Sequence, residues 1–270
     1  MSTEDFLKVN RERWDELSPL HADSDYYDVE GFKAGGIRLS DYEIEEVGDV
    51  TGKSLLHLLC HIGTDTLSWA RLGARVTGAD FSEEAVAVAR RLATDVGIDA
   101  RFVASDVYRL GDVLDEKFDI VYTSRGVLGW LPDLDGWAEV VADLLDPGGI
   151  FYITEIHPIA QVFDEQPGAS QLKVTFPYFT TEDPVPILTQ GSYAARDAEV
   201  KNKLEFGWPH GLGEVATALV RAGLRIDFLH EFPFTYWDKP FLTEVGPGRW
   251  GMPEDKGEMP LMFSIKATKR

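Results

Sequence analysis

Hydrophobic and polar positions along the chain alternate between two periods. The first 20 residues place Phe6, Asn10, Trp14 and Leu17 on one helical face. Ser2 or Thr3 caps this predicted helix, Glu4 and Asp5 suit its positive end, and Ser18-Pro19 is its expected stop. Residues 21–50 are mixed, with a short helical stretch near Asp41–Val47. Then a regular rhythm begins. Leu55–Leu59 is a short apolar run typical of a strand buried on both faces, and a helical stretch from about Thr64 to Leu72 follows it. Arg75–Ala79 is a second strand ending at Asp80. Behind the cap Ser82, the stripe Ala85, Val88, Ala89, Leu92 and Val96 marks a helix closed by Gly97. Strands are predicted at Arg101–Ala104, Phe118–Tyr122 and Ile150–Thr154. A helix over Trp137–Leu145 precedes the last of these and ends in Asp146-Pro147-Gly148-Gly149.

Residues 157–210 break the rhythm with Pro, Gly and aromatic residues. An irregular stretch of this length inside a compact domain is usually a lid or an inserted subdomain. The pattern resumes with a helix over Leu212–Val220, a strand over Leu224–Leu229 and a last strand at Leu261–Ile265. Strands alternating with helices predict an α/β fold: a doubly wound, mostly parallel Rossmann-like sheet. The expected organisation is a cap segment over 1–50 and one domain over 51–270 that carries the lid at about 157–210.

Length and charge narrow the function. The chain has 270 residues and a formal charge of −20, with 26 Lys and Arg against 46 Asp and Glu, and no basic run. That balance argues against a nucleic-acid partner, which needs clustered cations. No window holds the roughly 18 apolar residues of a membrane span, and the N-terminus has no apolar leader. With the lone Cys60 excluding an internal disulfide framework, the expectation is a cytoplasmic protein.

The candidate chemistry gathers at the carboxyl ends of the predicted strands, where such sheets bind ligands. The crossover His57-Leu58-Leu59-Cys60-His61-Ile62-Gly63 leaves a buried strand and enters a helix, so its N–H groups suit an anionic group. Asp80 either accepts from ribose hydroxyls or caps the helix that follows. Asp106, in Ser105-Asp106-Val107, either accepts from an adenine amine while Val107 packs on the ring, or caps a turn. His57, Cys60 and His61 lack the second Cys/His pair of a zinc site, so no metal is expected. Trp130 follows the fourth strand as pocket wall or core. Glu155 and His157 follow the fifth, His157 as base, hydrogen-bonder or plain loop residue. His21, His210 and His230 carry weaker claims.

The succession of an apolar strand, a Cys-x-x-Gly turn, Val-Thr-Gly-Ala-Asp, Ser-Asp-Val, Phe-Asp-Ile-Val-Tyr and Leu-Leu-Asp-Pro-Gly-Gly resembles the class I S-adenosylmethionine-dependent methyltransferases. The resemblance is strong over about 51–155 and extends to residue 268. The stretch Leu56–Ala70 is similar to a small-molecule subgroup with His at this strand position. The family pattern Asp-x-Gly-x-Gly-x-Gly is altered here: His57 stands at the acid, Leu59 and His61 stand at two glycines, and Gly63 is kept. The resemblance implies a seven-stranded sheet whose last strand is antiparallel. It implies S-adenosyl-L-methionine held by Leu59, Cys60, His61, Gly63, Asp80, Phe81, Ser105, Asp106, Val107 and Ser124. Methyl transfer would go to an N, O, S or C atom of a small molecule, with Tyr26, Tyr27, Trp130 and His210 at the acceptor and His157 or Glu155 as base. A dinucleotide oxidoreductase and a catalytically inactive binder of the same fold stay open, as does the oligomeric state.

Overall fold

The computed structural model describes residues 1–163 and 172–270. The part of the expected lid over 164–171 lies outside the described residues. Among the described residues seven strands form the main sheet: β1 (Ser54–Leu58), β2 (Arg75–Asp80), β3 (Arg101–Ala104), β4 (Phe118–Thr123), β5 (Leu145–Ile156), β6 (Leu224–Phe232) and β7 (Met262–Lys269). Their order is β3-β2-β1-β4-β5-β7-β6, with β7 antiparallel to both neighbours and the other pairings parallel. The chain winds outward from β1 to β3 and then returns to β4. This reversal opens a crevice above the carboxyl ends of β1 and β4, where ligands of such sheets bind.

Among the described residues eight helices accompany the sheet: α1 (Thr3–Ala22), α2 (Val29–Lys33), α3 (Asp41–Val47), α4 (Thr64–Arg71), α5 (Glu83–Asp95), α6 (Leu134–Leu144), α7 (Pro158–Gln161) and α8 (Leu212–Arg221). Alternation along β1 decides the layers. Leu56 and Leu58 join the core under α6 and α8, with Trp137, Val141 and Leu219. Leu55 joins the opposite core with Trp69 of α4 and Val47 of α3. Ser82 caps α5 as expected, its Oγ accepting from the Ala85 N–H at 3.1 Å.

Three local expectations are corrected. Pro19 does not stop α1, which runs to Ala22. The ring removes only the N–H that would reach the Asp15 carbonyl, and the Asp23 N–H still reaches the Pro19 carbonyl, so the helix continues past the proline. Asp146–Gly149 does not separate α6 from its strand by a free turn. Phe118 pairs with Leu145 and Ile120 with Ile150, so the four residues bulge out within β5, with Gly148 at φ +80°. A three-stranded sheet of Phe234–Thr235, Thr243–Gly246 and Arg249–Gly251, absent from the sequence reading, follows β6.

The stretch after α7 includes an antiparallel pair, Val185–Leu188 with Leu204–Gly207. It packs on α1: Phe6 meets Phe206 at 4.5 Å, and Asn10 exchanges two 2.8 Å hydrogen bonds with the Phe206 backbone. Arg13 is 2% exposed. Its guanidinium pairs with Glu205 at 2.6 Å, donates to the Gly191 carbonyl at 3.0 Å, and also reaches the Asn202 carbonyl and Thr189 Oγ1.

Candidate active site

The turn from β1 into α4 is built from left-handed residues. Leu59, His61 and Gly63 have φ of 54°, 49° and 81°. Two of these are not glycine, and neighbouring groups hold the turn open. The Cys60 N–H donates to the Ala79 carbonyl at 2.9 Å and the His61 N–H to Asp80 Oδ2 at 2.8 Å. Asp80 Oδ1 accepts from the Ser82 N–H at 2.9 Å. The cap of α5 is Ser82 and not Asp80, which instead fixes the turn and positions that cap, while each of its oxygens keeps a further lone pair. Burial pushes its carboxyl up to about 6, against the pull of those N–H groups. Asp106 caps Tyr108 N–H with Oδ1 at 3.0 Å, leaving Oδ2 available beside buried Val107. Phe81 and Ser105 are half-buried at the ends of the same two strands.

His57, at the place of the family's acid, is buried between two hydroxyls. Its Nδ1 lies 2.8 Å from Thr66 Oγ1 and its Nε2 3.1 Å from Ser124 Oγ. Burial, reinforced by Arg125, pushes its pKa down to about 3. Cys60 is buried, and burial raises its thiol well above the ordinary value. Among the described residues no group of three His, Cys, Asp or Glu side chains converges as a metal site.

The His57 shift is a stability statement. The ring ionises near 6.5 when exposed and near 3 in the folded chain, so its contribution is complete above pH 6.5 and is lost as pH falls. Between pH 7 and 5 the loss is about 2 kcal/mol. Asp65 and Asp80, both raised to about 6, shift stability the opposite way over the same range. Total acid sensitivity is therefore the wrong observable, and a variant isolates the ring. Urea unfolding of His57→Gln at pH 7 and pH 5 is expected to show about 2 kcal/mol less acid loss than the parent; equal losses would refute the assignment.

Four segments bring aromatic rings over this turn. Trp14 and His21 come from one face of α1, Tyr26 and Tyr27 from the following turn, His61 from the β1–α4 turn, and Trp130 from the loop after β4. Tyr193 joins them from the loop between the paired strands of the 185–207 stretch. Trp14 lies 5.3 Å from His61 and 5.4 Å from Trp130, each edge-on. Tyr27 stacks on His21 at 5.4 Å and its hydroxyl meets that of Tyr193 at 2.5 Å. Tyr26, Tyr27 and Trp130 of the expected acceptor residues are thus brought together. Asp65, half-buried in the first turn of α4, is raised to about 6 by burial while Arg125 and Ser124 hold it down. Ser192 Oγ lies 2.5 Å from His21 Nε2 in the same cluster, and sequence reasoning missed Asp65, Ser192 and Tyr193, which no motif or period marks.

His210 does not join the cluster. Its Nε2 lies 2.7 Å from the Leu131 carbonyl and its Nδ1 3.2 Å from Thr180 Oγ1, so it ties the 172–210 stretch to the loop before α6. Glu155 is fully engaged elsewhere. Its carboxylate accepts from the N–H groups of Gly126 at 2.5 Å, Val127 at 2.7 Å, Leu128 at 3.1 Å and Ile156 at 2.5 Å, and so anchors the loop after β4. Burial raises its pKa while these four donors oppose the rise. His157 caps α7, Nδ1 accepting from the Ile159 N–H at 3.1 Å, with Nε2 3.0 Å from Glu231 Oε1 and the ring against Phe263. Both residues serve the backbone around the site.

Residues 56–153 match the methyltransferase domain family. The ubiquinone biosynthesis O-methyltransferase of Escherichia coli is 32% identical over 161 residues, 57% of this chain and 66% of that protein. The enzyme of the same name from Shewanella pealeana is 28% identical over 155 residues, 56% of this chain and 60% of its own. The chain thus spans less than two thirds of the length of either relative. Among solved structures, an S-adenosylmethionine-dependent methyltransferase from Mesorhizobium loti superposes with a TM-score of 0.56 at 21% identity, over 88% of this chain and all of that one. These findings establish the class I methyltransferase fold and place the matched domain on β1–β5.

Proposed function

We infer that the chain is an S-adenosyl-L-methionine-dependent methyltransferase acting on a small molecule. The observation that carries this reading is the domain match over 56–153, which includes both strand-end acids, Asp80 and Asp106. The residues present fit the cofactor. The left-handed turn Leu59–Gly63 presents backbone at the start of α4, Asp80 and Asp106 offer lone pairs at the ends of adjacent strands, and Phe81, Ser105 and Val107 lie beside them. Cys60, His61 and Ser124 complete the set. The cofactor supplies an electrophilic methyl group on a sulfonium. The protein's own part is to orient donor and acceptor in line and to exclude water. The acidic chain, with no helix among the described residues long and apolar enough to cross a membrane, suits a small-molecule acceptor rather than nucleic acid. The names of the two relatives, both O-methyltransferases of a biosynthetic pathway, support the same class. The 1–50 segment and the 172–210 stretch act in this reading as covers over the crevice.

Calorimetry with S-adenosylhomocysteine tests it. Wild-type protein is expected to bind, and Asp106→Ala to bind about 10-fold more weakly. Asp80→Ala is expected to lose up to about 100-fold, because it also frees the His61 N–H. Binding of NAD in place of S-adenosylhomocysteine and S-adenosylmethionine would transfer the chain to the oxidoreductases; binding of none of the three would leave an inactive relative of the fold.

A further inference from the structure

The order of the strand ends lays out the path of the methyl donor. Asp106 follows β3 and Asp80 ends β2. In the methyltransferase reading, adenine at the first and ribose at the second leave the donor's amino-acid end over β1 and β4, the next two strands of the sheet. That end carries a carboxylate and an ammonium. The start of α4 turns N–H groups toward the carboxylate. The ammonium needs an anion, and residue 57, where the family carries its acid, supplies none. His57 is neutral at pH 7, and Thr66 and Ser124 occupy both of its ring nitrogens.

Asp65 is the carboxylate in surplus here. It lies half-buried in the first turn of α4, on the helix that leaves the Leu59–Gly63 turn. Ser124 Oγ, 3.1 Å from His57 Nε2, also hydrogen-bonds the Asp65 carboxylate, so the acid stands one hydroxyl away from the ring at position 57. With His57 Nε2–H donating to Ser124 Oγ, the Ser124 O–H donates to Asp65 and the Thr66 hydroxyl to His57 Nδ1. The nearby cations are engaged elsewhere. Arg125 pairs with Glu43 at 2.5 Å, and Glu43 also accepts from the Tyr122 hydroxyl at 2.6 Å. Arg38 pairs with Asp28 at 3.5 Å and donates to the Tyr26 carbonyl at 2.9 Å. Each cation is thus matched by its own carboxylate, and among the described residues Asp65 makes no ion pair. Burial raises its carboxyl to about 6, and Arg125 offsets this only in part. A desolvated carboxylate supported by a single hydroxyl gains most from a donor that is itself charged.

We propose that Asp65 holds the α-ammonium group of the methyl donor, in place of the acid that residue 57 does not provide. The anion has moved from the end of β1 to the helix behind the turn, and Ser124 joins the two positions. The ion pair forms only with Asp65 ionised, so this part of the affinity is complete above pH 6 and is lost as the carboxyl takes up a proton. The charged groups facing Asp65 are Arg125, Arg38 and Glu43. The other titratable groups around it are the phenols of Tyr26, Tyr27, Tyr122 and Tyr193 and the Cys60 thiol, all raised by burial and uncharged from pH 5 to 7. The proposal rests on the methyltransferase reading.

The test is calorimetry on the full chain with three ligands at pH 7: S-adenosylhomocysteine, its analogue with hydrogen in place of the α-amino group, and 5′-deoxy-5′-methylthioadenosine, which lacks the amino-acid end. Wild-type protein is expected to bind S-adenosylhomocysteine about 10- to 100-fold more tightly than the deaminated analogue. Asp65→Asn, which keeps the size of the side chain, should lower S-adenosylhomocysteine affinity by that same factor and leave the other two ligands within about 3-fold. A merely structural Asp65 would weaken all three together. A second arm needs no variant. In wild-type protein the ratio of S-adenosylhomocysteine to methylthioadenosine affinity should fall about 10-fold from pH 7 to pH 5, as a carboxyl ionising near 6 takes up its proton. Asp80, raised to the same range, faces the part common to both ligands and leaves the ratio unchanged. Equal losses for all three ligands in Asp65→Asn, no loss for S-adenosylhomocysteine, or a ratio independent of pH would overturn the proposal. Wild-type protein that binds none of the three would instead overturn the reading beneath it.

Discussion

Arg13→Ala is expected to destabilise the protein by about 3–5 kcal/mol and to loosen the 185–207 stretch from α1. The guanidinium is 2% exposed. It neutralises Glu205, whose carboxylate burial otherwise raises, and it satisfies the Asn202 and Gly191 carbonyls. Removing one partner of a buried pair leaves the other charge desolvated and unpaired, which accounts for the size of the effect. The remaining ties are weaker. Asn10 holds Phe206, and Glu16 accepts from the Lys201 and Asn202 N–H groups at 2.7 and 2.9 Å. These bonds should keep α1 in place but not the loop that carries Ser192 and Tyr193. Hydrogen exchange should therefore quicken about 100-fold or more over 189–205 while β1, β4 and β5 keep their protection. Arg13→Met combined with Glu205→Leu should recover part of the stability, because both charges leave together. A loss below 1 kcal/mol in the single variant, or uniform quickening across the sheet, would show that the pair is not the latch described.

The central strands were legible because each carries its own signal. A strand covered on both faces reads as a continuous apolar run, and Ser82 and Gly97 mark the ends of α5 in chemistry confined to a few residues. What escaped depends on partners distant in sequence. Pro19 looks like a stop until the Asp23 N–H is seen to reach the Pro19 carbonyl and carry the helix past the ring. The small sheet around Trp250 is made of strands two to four residues long, too short for any period to show. The site divides in the same way. Asp80 and Asp106 are strand-end acids, and position alone suggests them. His57 sits where an acid was expected, and only Thr66 and Ser124 reveal a neutral ring held at both nitrogens. Glu155 has the residue type and the strand end of a base, yet four N–H groups claim its oxygens. The partnership of His21 with Ser192 joins residues 171 positions apart, beyond the reach of any motif.

Gly63→Ala is expected to cost about 2–5 kcal/mol and to abolish cofactor binding in whatever fraction remains folded. Two penalties combine. The residue has φ +81°, a left-handed conformation that costs a residue with a Cβ about 1–2 kcal/mol. The added methyl also has no room: it would sit 2.8 Å from Ala89 Cβ and 2.9 Å from the Phe102 ring, so α5 or β3 must shift, at about 1–3 kcal/mol for an overpacked core. Gly97, at φ +66° with nothing within 4 Å of its imagined Cβ, isolates the first penalty. Gly97→Ala should therefore cost about 1 kcal/mol in urea unfolding and leave S-adenosylhomocysteine affinity unchanged. The difference between the two variants measures the close approach of the turn to α5. That approach explains why this glycine is needed while Leu59 and His61 are tolerated at the other two left-handed positions. Equal costs at residues 63 and 97 would mean that backbone strain alone accounts for Gly63, and that α5 yields to the methyl group.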